Sequence, residues 1–265
     1  MKLGPISARI ARLVFLALAP AMVSLAIADE IHVASSGGFA AAYRALASGF
    51  EARTGHKLVA VWGPSMGQTS GAIPKRLERG EPIDVVIMVG DSLDTLIKQG
   101  RVDDAGHRLL ANSKIGVAVR AGAAKPDVTT VEGLKRALLN ARSIAYSDSA
   151  SGEYLSKVLF PRLGIAEQIK DKSRMIAAEP VALVVARGEA DLGFQQVSEL
   201  LPIQGIEFVG EIPDETQQLT AFSAGIVVGS KVQAAAQALI EYLTSEEAAP
   251  VIRQTGLSPA VATAH

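Results

Sequence analysis

Short apolar runs alternate with amphipathic stretches along most of the chain. Ile31–Ser35 (IHVAS), Lys57–Trp62 (KLVAVW), Asp84–Val89 (DVVIMV) and Lys114–Arg120 (KIGVAVR) have the length and composition of strands. So do Ser143–Ser147 (SIAYS), Ala190–Gln195 (ADLGFQ), Gly205–Gly210 (GIEFVG) and Leu219–Val228 (LTAFSAGIVV). DVVIMV is apolar without alternation, which predicts a strand buried on both faces. Helical spacing is expected near Phe39–Arg53, Ala72–Arg79, Val131–Leu139, Gly152–Leu163 and Pro180–Arg187, and from Lys231 through Gln254. Asp91 stands where an N-cap is needed for a further helix ending at Lys98. This order predicts an α/β chain with parallel sheets. The strand–helix pattern restarts near Lys114, so two lobes are expected, the first from residues 29–112 and 222–265, the second from residues 113–221. The polar stretch Gln99–Ser113 would carry the first crossover. Two-lobed α/β chains bind ligands in the cleft between lobes, at the ends of strands.

The first 28 residues change the picture. Lys2, Arg9 and Arg12 precede the apolar run Leu13–Ile27, and Ala26-Ile27-Ala28 forms an A-x-A site. These features predict an export signal over residues 1–28, cut after Ala28, and a periplasmic mature protein. The apolar run falls short of the roughly 20 residues a membrane span needs, and Pro20 interrupts it, so no span is expected after cleavage. The remaining chain carries 23 Lys and Arg against 27 Asp and Glu, which argues against nucleic acid as a partner. With no Cys, the exported chain must fold without disulfides.

Three strand-to-helix turns combine small polar residues with a helix start. The first holds Ser35, Ser36, Gly37 and Gly38; the second is WGPSMGQTSG, with Ser65, Met66, Gly67, Thr69 and Ser70; the third holds Ser147, Ser149, Ser151 and Gly152. Helix N-termini supply unpaired N–H groups and partial positive charge, and hydroxyls add donors. Aimed at one cleft, the three turns would cradle an anion without Arg or Lys. Singly, each is also an ordinary capping sequence. Gln195 and Gln196 could present amides to the same cleft, and Met66 an apolar wall. Lys75 and Arg76 read as solvated helix residues, although Arg76 could reach a carboxylate. Other chemistry is sparse. His32, His56, His107 and His265 lack metal-ligand spacing, so no metal and no cofactor is expected, and neither G-x-S-x-G nor a P-loop occurs.

Several stretches together resemble the periplasmic solute-binding proteins of ABC importers, specifically the molybdate-binding type. They are VASSGGFAAAYRALASGFEARTGHKL, AIPKRLERGEPIDVVIMVGD, ASGEYLSKVLFPRLGI, EADLGF and ALIEYLTSEEAAPVIRQTG. The resemblance implies two hinged α/β lobes, a monomer, an anion held between the lobes, and an ABC permease as partner. It also implies binding by Ser36, by a serine of the second loop, and by the backbone around Ser151 and Val181. The second loop is longer here, filled by PSMGQT, and leaves Ser65, Thr69 and Ser70 as alternatives for that role. Gln196 stands where the family binds with a tyrosine, so the pocket suits a larger anion such as a di- or tricarboxylate. GPSMGQTSGAIPKRLERGEPIDVVIMVGD and IAYSDSASGEYLSKVLFPRLGI also resemble a branch of this fold that includes the bacterial aconitate isomerases. Such an enzyme moves a proton along an allylic system, which needs a base over a carbon and donors on carboxylates. Asp148, Glu153, Asp91 and His32 are the candidate proton carriers on the sequence. The first reading is therefore a periplasmic binding protein for a small anion; the second is an exported tricarboxylate isomerase.

Overall fold

The computed structural model describes residues 28–177 and 179–260; the leader expected over residues 1–28 lies outside them apart from Ala28. Eleven strands form two sheets among the described residues. The first half of the chain builds β1 (Glu30–Ser35), α1 (Gly37–Thr54), β2 (Lys57–Trp62), α2 (Ile73–Glu78), β3 (Val85–Val89), α3 (Gly90–Lys98) and β4 (Arg108–Ser113). The chain then crosses to β5 (Ile115–Arg120), α4 (Val131–Asn140), β6 (Ile144–Ser147) and α5 (Ala150–Tyr154). A π-helical turn (Leu155–Leu159) joins α5 to α6 (Phe160–Arg162), followed by α7 (Ala166–Ile169), β7 (Ser173–Ile176), α8 (Val181–Ala186), β8 (Leu192–Gln196), α9 (Val197–Leu200) and β9 (Ile206–Glu211). The return passes through β10 (Thr220–Ile226), α10 (Gln233–Leu243), α11 (Ala248–Gln254) and β11 (Leu257–Pro259).

The six-stranded sheet runs β11-β4-β10-β3-β1-β2 and the five-stranded sheet β7-β6-β8-β5-β9. Both are mixed rather than mostly parallel. β1 pairs in parallel with β2 and β3, and β6 with β7 and β8. The strands nearest the crossings run the other way: β10 is antiparallel to β3 and β4, and β5 to β8 and β9. The reason is the route of the chain. The crossing from β4 to β5 is the single residue Lys114, and the return from β9 to β10 holds only a short 3-10 turn (Asp214–Thr216), so neither carries the crossover helix that parallel strands need. The stretch Gln99–Ser113, read from sequence as a polar connection, therefore contains strand β4.

Each sheet has its own core. α1 buries Phe39, Ala42, Tyr43, Leu46 and Phe50, a single stripe at three- and four-residue spacing, and stops at Gly55, whose φ of 77° favours glycine. That stripe packs with Ile31, Val33 and Ile87 of the sheet and with Leu239 and Ile240 of α10. The second core gathers Ile115 and Val117 with Leu134, Leu138, Phe160 and Phe194. Smaller clusters cover the other faces of the two sheets, around Ile73, Val86 and Leu93 in the first and Val181, Val184 and Val185 in the second.

The crossings between the sheets are stitched by polar groups. Lys114 Nζ bonds to Glu211 Oε2 and Asp214 Oδ1, each at 2.9 Å. The Gln217 carboxamide accepts from Ile115 N–H at 2.9 Å and donates to the carbonyls of Ile115 and Ile212 at 2.8 and 3.1 Å. It thereby substitutes for a strand neighbour where the ladder is interrupted.

Candidate functional site

The C-terminal ends of β1, β2, β6 and β8 converge on a cleft of about 490 Å³ between the sheets. The parallel parts of both sheets thus do what open α/β sheets do, placing their loops around one crevice.

The first arm is the β1–α1 turn. Its backbone is fixed by Ser36 N–H donating to the Ile87 carbonyl at 2.8 Å. Ser36 occupies the N-cap with extended dihedrals, yet its side chain makes no capping bond. The Ser36 hydroxyl is buried and has no partner among the described residues. A buried hydroxyl without a partner costs about 1–3 kcal/mol, so the hydroxyl is free for a ligand. Gly37 follows in the cleft wall, whereas Ser35 sits wholly buried behind it and donates to the Ser36 carbonyl at 3.2 Å.

The second arm is the loop from Trp62 to Gly71. Ser65, Met66, Thr69 and Ser70 all line the cleft, while Gly67 lies exposed outside it. Ser65 Oγ accepts from Val89 N–H at 2.9 Å, which ties the loop to β3 and leaves the hydroxyl proton to donate elsewhere. Arg76 braces the loop from behind: its Nε donates to the Gly71 carbonyl at 3.0 Å and its Nη1 to Glu81 Oε2 at 2.7 Å. Arg76 is therefore neither solvated nor free to clasp a ligand. α2, only six residues long, contributes little dipole of its own.

The third arm differs. Ser149 lines the cleft, but Ser151 and Gly152 are buried behind it. Ser147 Oγ lies 2.7 Å from Ser149 Oγ and 3.2 Å from Ser151 Oγ, so these hydroxyls satisfy one another. A Cβ on Gly152 would collide with the Ser147 carbonyl. Gly152 is thus small to admit its own backbone, not a ligand.

The fourth arm is the end of β8. Gln196 lines the cleft, donates from Nε2 to Thr220 Oγ1 at 2.8 Å, and keeps a buried Oε1 without a partner. Gln195 Oε1 accepts from Val181 N–H at 3.0 Å. Val181 is fully buried and its N–H is engaged, so the cleft receives Glu179 and Pro180 from that segment instead.

Sequence reasoning passed over Glu199. It lies on α9, just past β8, and lines the cleft. Its carboxylate crosses to the first turn of α1, where a Cβ on Gly37 would collide with Glu199 Oε1. Beside it, Ser198 Oγ donates to the Gly38 carbonyl at 2.6 Å and locks α9 against α1. Burial is the main cause that pushes the Glu199 carboxyl up to about 7; the Gln195 amide opposes this rise and the Asp148 charge adds to it. An acidic residue at the end of a strand, in QQVSEL, was the available signal.

Of the four proton carriers expected from sequence, only Asp148 reaches this cleft. Asp91 and Glu153 line a neighbouring recess, where Glu153 pairs with Lys157 at 3.0 Å. Asp91 lies in the first turn of α3, and the N-cap there is Val89. His32 sits on β1 away from its C-terminal end, flanked by Glu30 at 3.2 Å and Asp84 at 3.5 Å, in a different recess. Among the described residues, no His, Asp or Glu cluster is placed to hold a metal ion. The same residues include no helix long and apolar enough to cross a membrane.

Residues 31–258 match the family model of the bacterial extracellular solute-binding proteins. The chain belongs to that family. Within it, the chain is 50% identical to an aconitate isomerase of a Pseudomonas species over 229 residues, covering 86% of this chain and 87% of the relative. It is 28% identical to the molybdate-binding protein of Azotobacter vinelandii, over 93% of this chain and 97% of that one. The solved structure of the Azotobacter vinelandii periplasmic molybdate-binding protein superposes with a TM-score of 0.69 at 22% identity, covering 86% of this chain and 98% of that chain. The two-lobed solute-binding fold and the double likeness expected from sequence are thus both found.

Proposed function

We propose that the chain is an exported, cofactor-independent isomerase of an unsaturated tricarboxylate, interconverting cis- and trans-aconitate in the cleft. The observation that carries this reading is the pairing, in one cleft, of neutral donors with the carboxyl of Glu199, which burial pushes up to about 7. Ser36, Ser65, Thr69, Ser70 and Ser149 line three walls with hydroxyls, and no Lys, Arg or His appears among the described lining residues. Such a surface holds carboxylates by directed hydrogen bonds, reinforced by the N-terminus of α1. A half-turn of the Gln196 carboxamide lets Thr220 donate to Oε1 and turns Nε2 into another donor. The volume falls within the roughly 300–1,000 Å³ usual for small organic ligands. The 50% identity to an aconitate isomerase supports the same substrate.

The chemistry asks little else of the protein. An allylic shift removes a proton from the methylene carbon and returns one to the vinylic carbon. The charge passes through a carbanion spread over the flanking carboxylates, where the hydroxyl donors sit. The geometry of the new double bond follows from how the cleft holds the methylene carboxylate arm. We assign the mature protein to the periplasm, on the strength of the leader in the sequence.

The family favours a second reading, a binding protein that delivers a small anion to an ABC permease. Purified chain 29–265 separates the two. Thermal shift is run with molybdate, tungstate, sulfate, citrate and both aconitates, and the aconitates are followed by proton NMR. The isomerase reading expects cis- and trans-aconitate to reach one mixture from either side. A Tm raised by several degrees by one anion, with both aconitates unchanged, would instead identify a binding protein.

A further inference from the structure

We propose that Glu199 is the proton carrier: its carboxylate, lodged against the first turn of α1 beside Ser36, takes the methylene proton of bound aconitate and returns it to the other end of the allyl system. This assignment deepens the isomerase reading and rests on it.

The placement of Glu199 is specific. It joins the two lobes at the cleft, reaching from α9 to the Gly37 position of α1. A Cβ at Gly37 would push the carboxylate out of this place, so the Gly37 space serves the acid of the opposite lobe. The unpartnered Ser36 hydroxyl lies one residue away, positioned to hold the carboxylate of a substrate whose carbon faces Glu199. The other two acids of the cleft are placed less well. Glu179 is exposed at the rim, and Asp148 sits on the opposite turn beside Ser149.

The step balances. The C–H bond of the methylene carbon breaks, its electron pair enters the allyl system, and the proton passes to Glu199. The protonated Glu199 then gives that proton to the former vinylic carbon, and the carboxylate is regenerated. No oxidant, metal or net proton is consumed. The charged group that acts on Glu199 is Asp148 from the β6–α5 turn, which favours its neutral form, while Glu179 from the segment before α8 is paired with Arg187 at 2.9 Å; the Gln195 amide from β8 and the N-terminus of α1 favour the anion.

The test compares wild type, Glu199→Gln and Glu199→Asp in the chain 29–265, reading aconitate interconversion by NMR, trans-aconitate affinity by calorimetry, and Tm. The expected result is a loss of about a thousandfold or more in turnover for Glu199→Gln, within the range of acid–base catalysis. Affinity should stay within about tenfold, and Glu199→Asp should recover part of the rate. Wild-type kcat/KM should rise with pH through about 7. Turnover of Glu199→Gln within tenfold of wild type overturns the proposal. So does a flat wild-type profile between pH 5 and 8, a readout that stands even if Glu199→Gln fails to fold. Wild type that binds aconitate without interconverting it sinks the isomerase reading itself, a distinct outcome.

Discussion

The Ser36 turn and the Ser147–Ser151 turn look alike in sequence and behave differently in the fold. Each follows a parallel strand, each offers serines and a glycine, and each starts a helix. In neither does the N-cap side chain make a capping bond. At the first turn the hydroxyl is left without a partner and the glycine gives its space to a side chain from the other lobe. At the second, three hydroxyls bond to one another and the glycine gives its space to its own strand's carbonyl. A serine- and glycine-rich turn therefore specifies room and donors, but only the surrounding packing decides whether a ligand receives them.

The largest expected effect that separates the turns is at the glycines. Gly152→Ala should lower stability by about 3 kcal/mol or more, because its Cβ meets backbone that cannot swing away. Gly37→Ala meets only the end of the Glu199 side chain, so Tm should hold while turnover falls. Equal loss of Tm in the two variants would erase the distinction.

Next comes Ser36→Ala. A hydrogen bond to a charged ligand contributes about 1.5–3 kcal/mol, so aconitate affinity should fall roughly 10–100-fold. Tm without ligand should not fall, since nothing in the protein loses a partner. A marked drop in Tm would show that the hydroxyl is structural after all.

The acid behind the first turn gives a pH effect of comparable size. Glu199 titrates about 7 when folded against an ordinary value of 4.5, so the folded chain holds an extra proton between these values. Stability is fully present below about 4.5 and is lost as pH rises toward 7. At pH 8, Glu199→Gln should thus be more stable than wild type, by about 3 kcal/mol. The two should converge near pH 4.5, which Tm curves across pH will check. Ser151→Ala is expected to do least: about 1 kcal/mol of stability, for one neutral hydrogen bond. Its effect on affinity should be well below that of Ser36→Ala, as calorimetry of the pair would measure.

Much of this molecule was legible from its residues. The unbroken apolar run of β3 and the spaced apolar stripe of α1 fixed the core of the first lobe, because burial dictates those patterns directly. The three serine-bearing turns were legible as places where strands end and helices begin, although which of their hydroxyls face the cleft was not. β4, β7 and β11 were not. β4 reads RLLANS, β7 SRMI and β11 LSP, runs too short or too polar to announce themselves; long-range pairing makes them strands. Glu199 escaped for a related reason. Its helix has only four residues, and the carboxyl acquires its character from burial in a cleft whose other wall, at Gly37, comes from a distant part of the chain. His32 and Glu153 misled because their chemistry was visible while their direction was not.

The most direct measurement is deuterium entry into trans-aconitate incubated with wild-type chain 29–265 in D2O, followed by proton NMR. Proton transfer through Glu199 predicts cis-aconitate only when protein is present, its receiving carbon bearing the proton Glu199 returns, or deuterium in those turnovers where the protonated carboxyl exchanges with solvent first. A bound acid, shown by a raised Tm, whose allylic protons remain unexchanged and whose spectrum remains unchanged would contradict it.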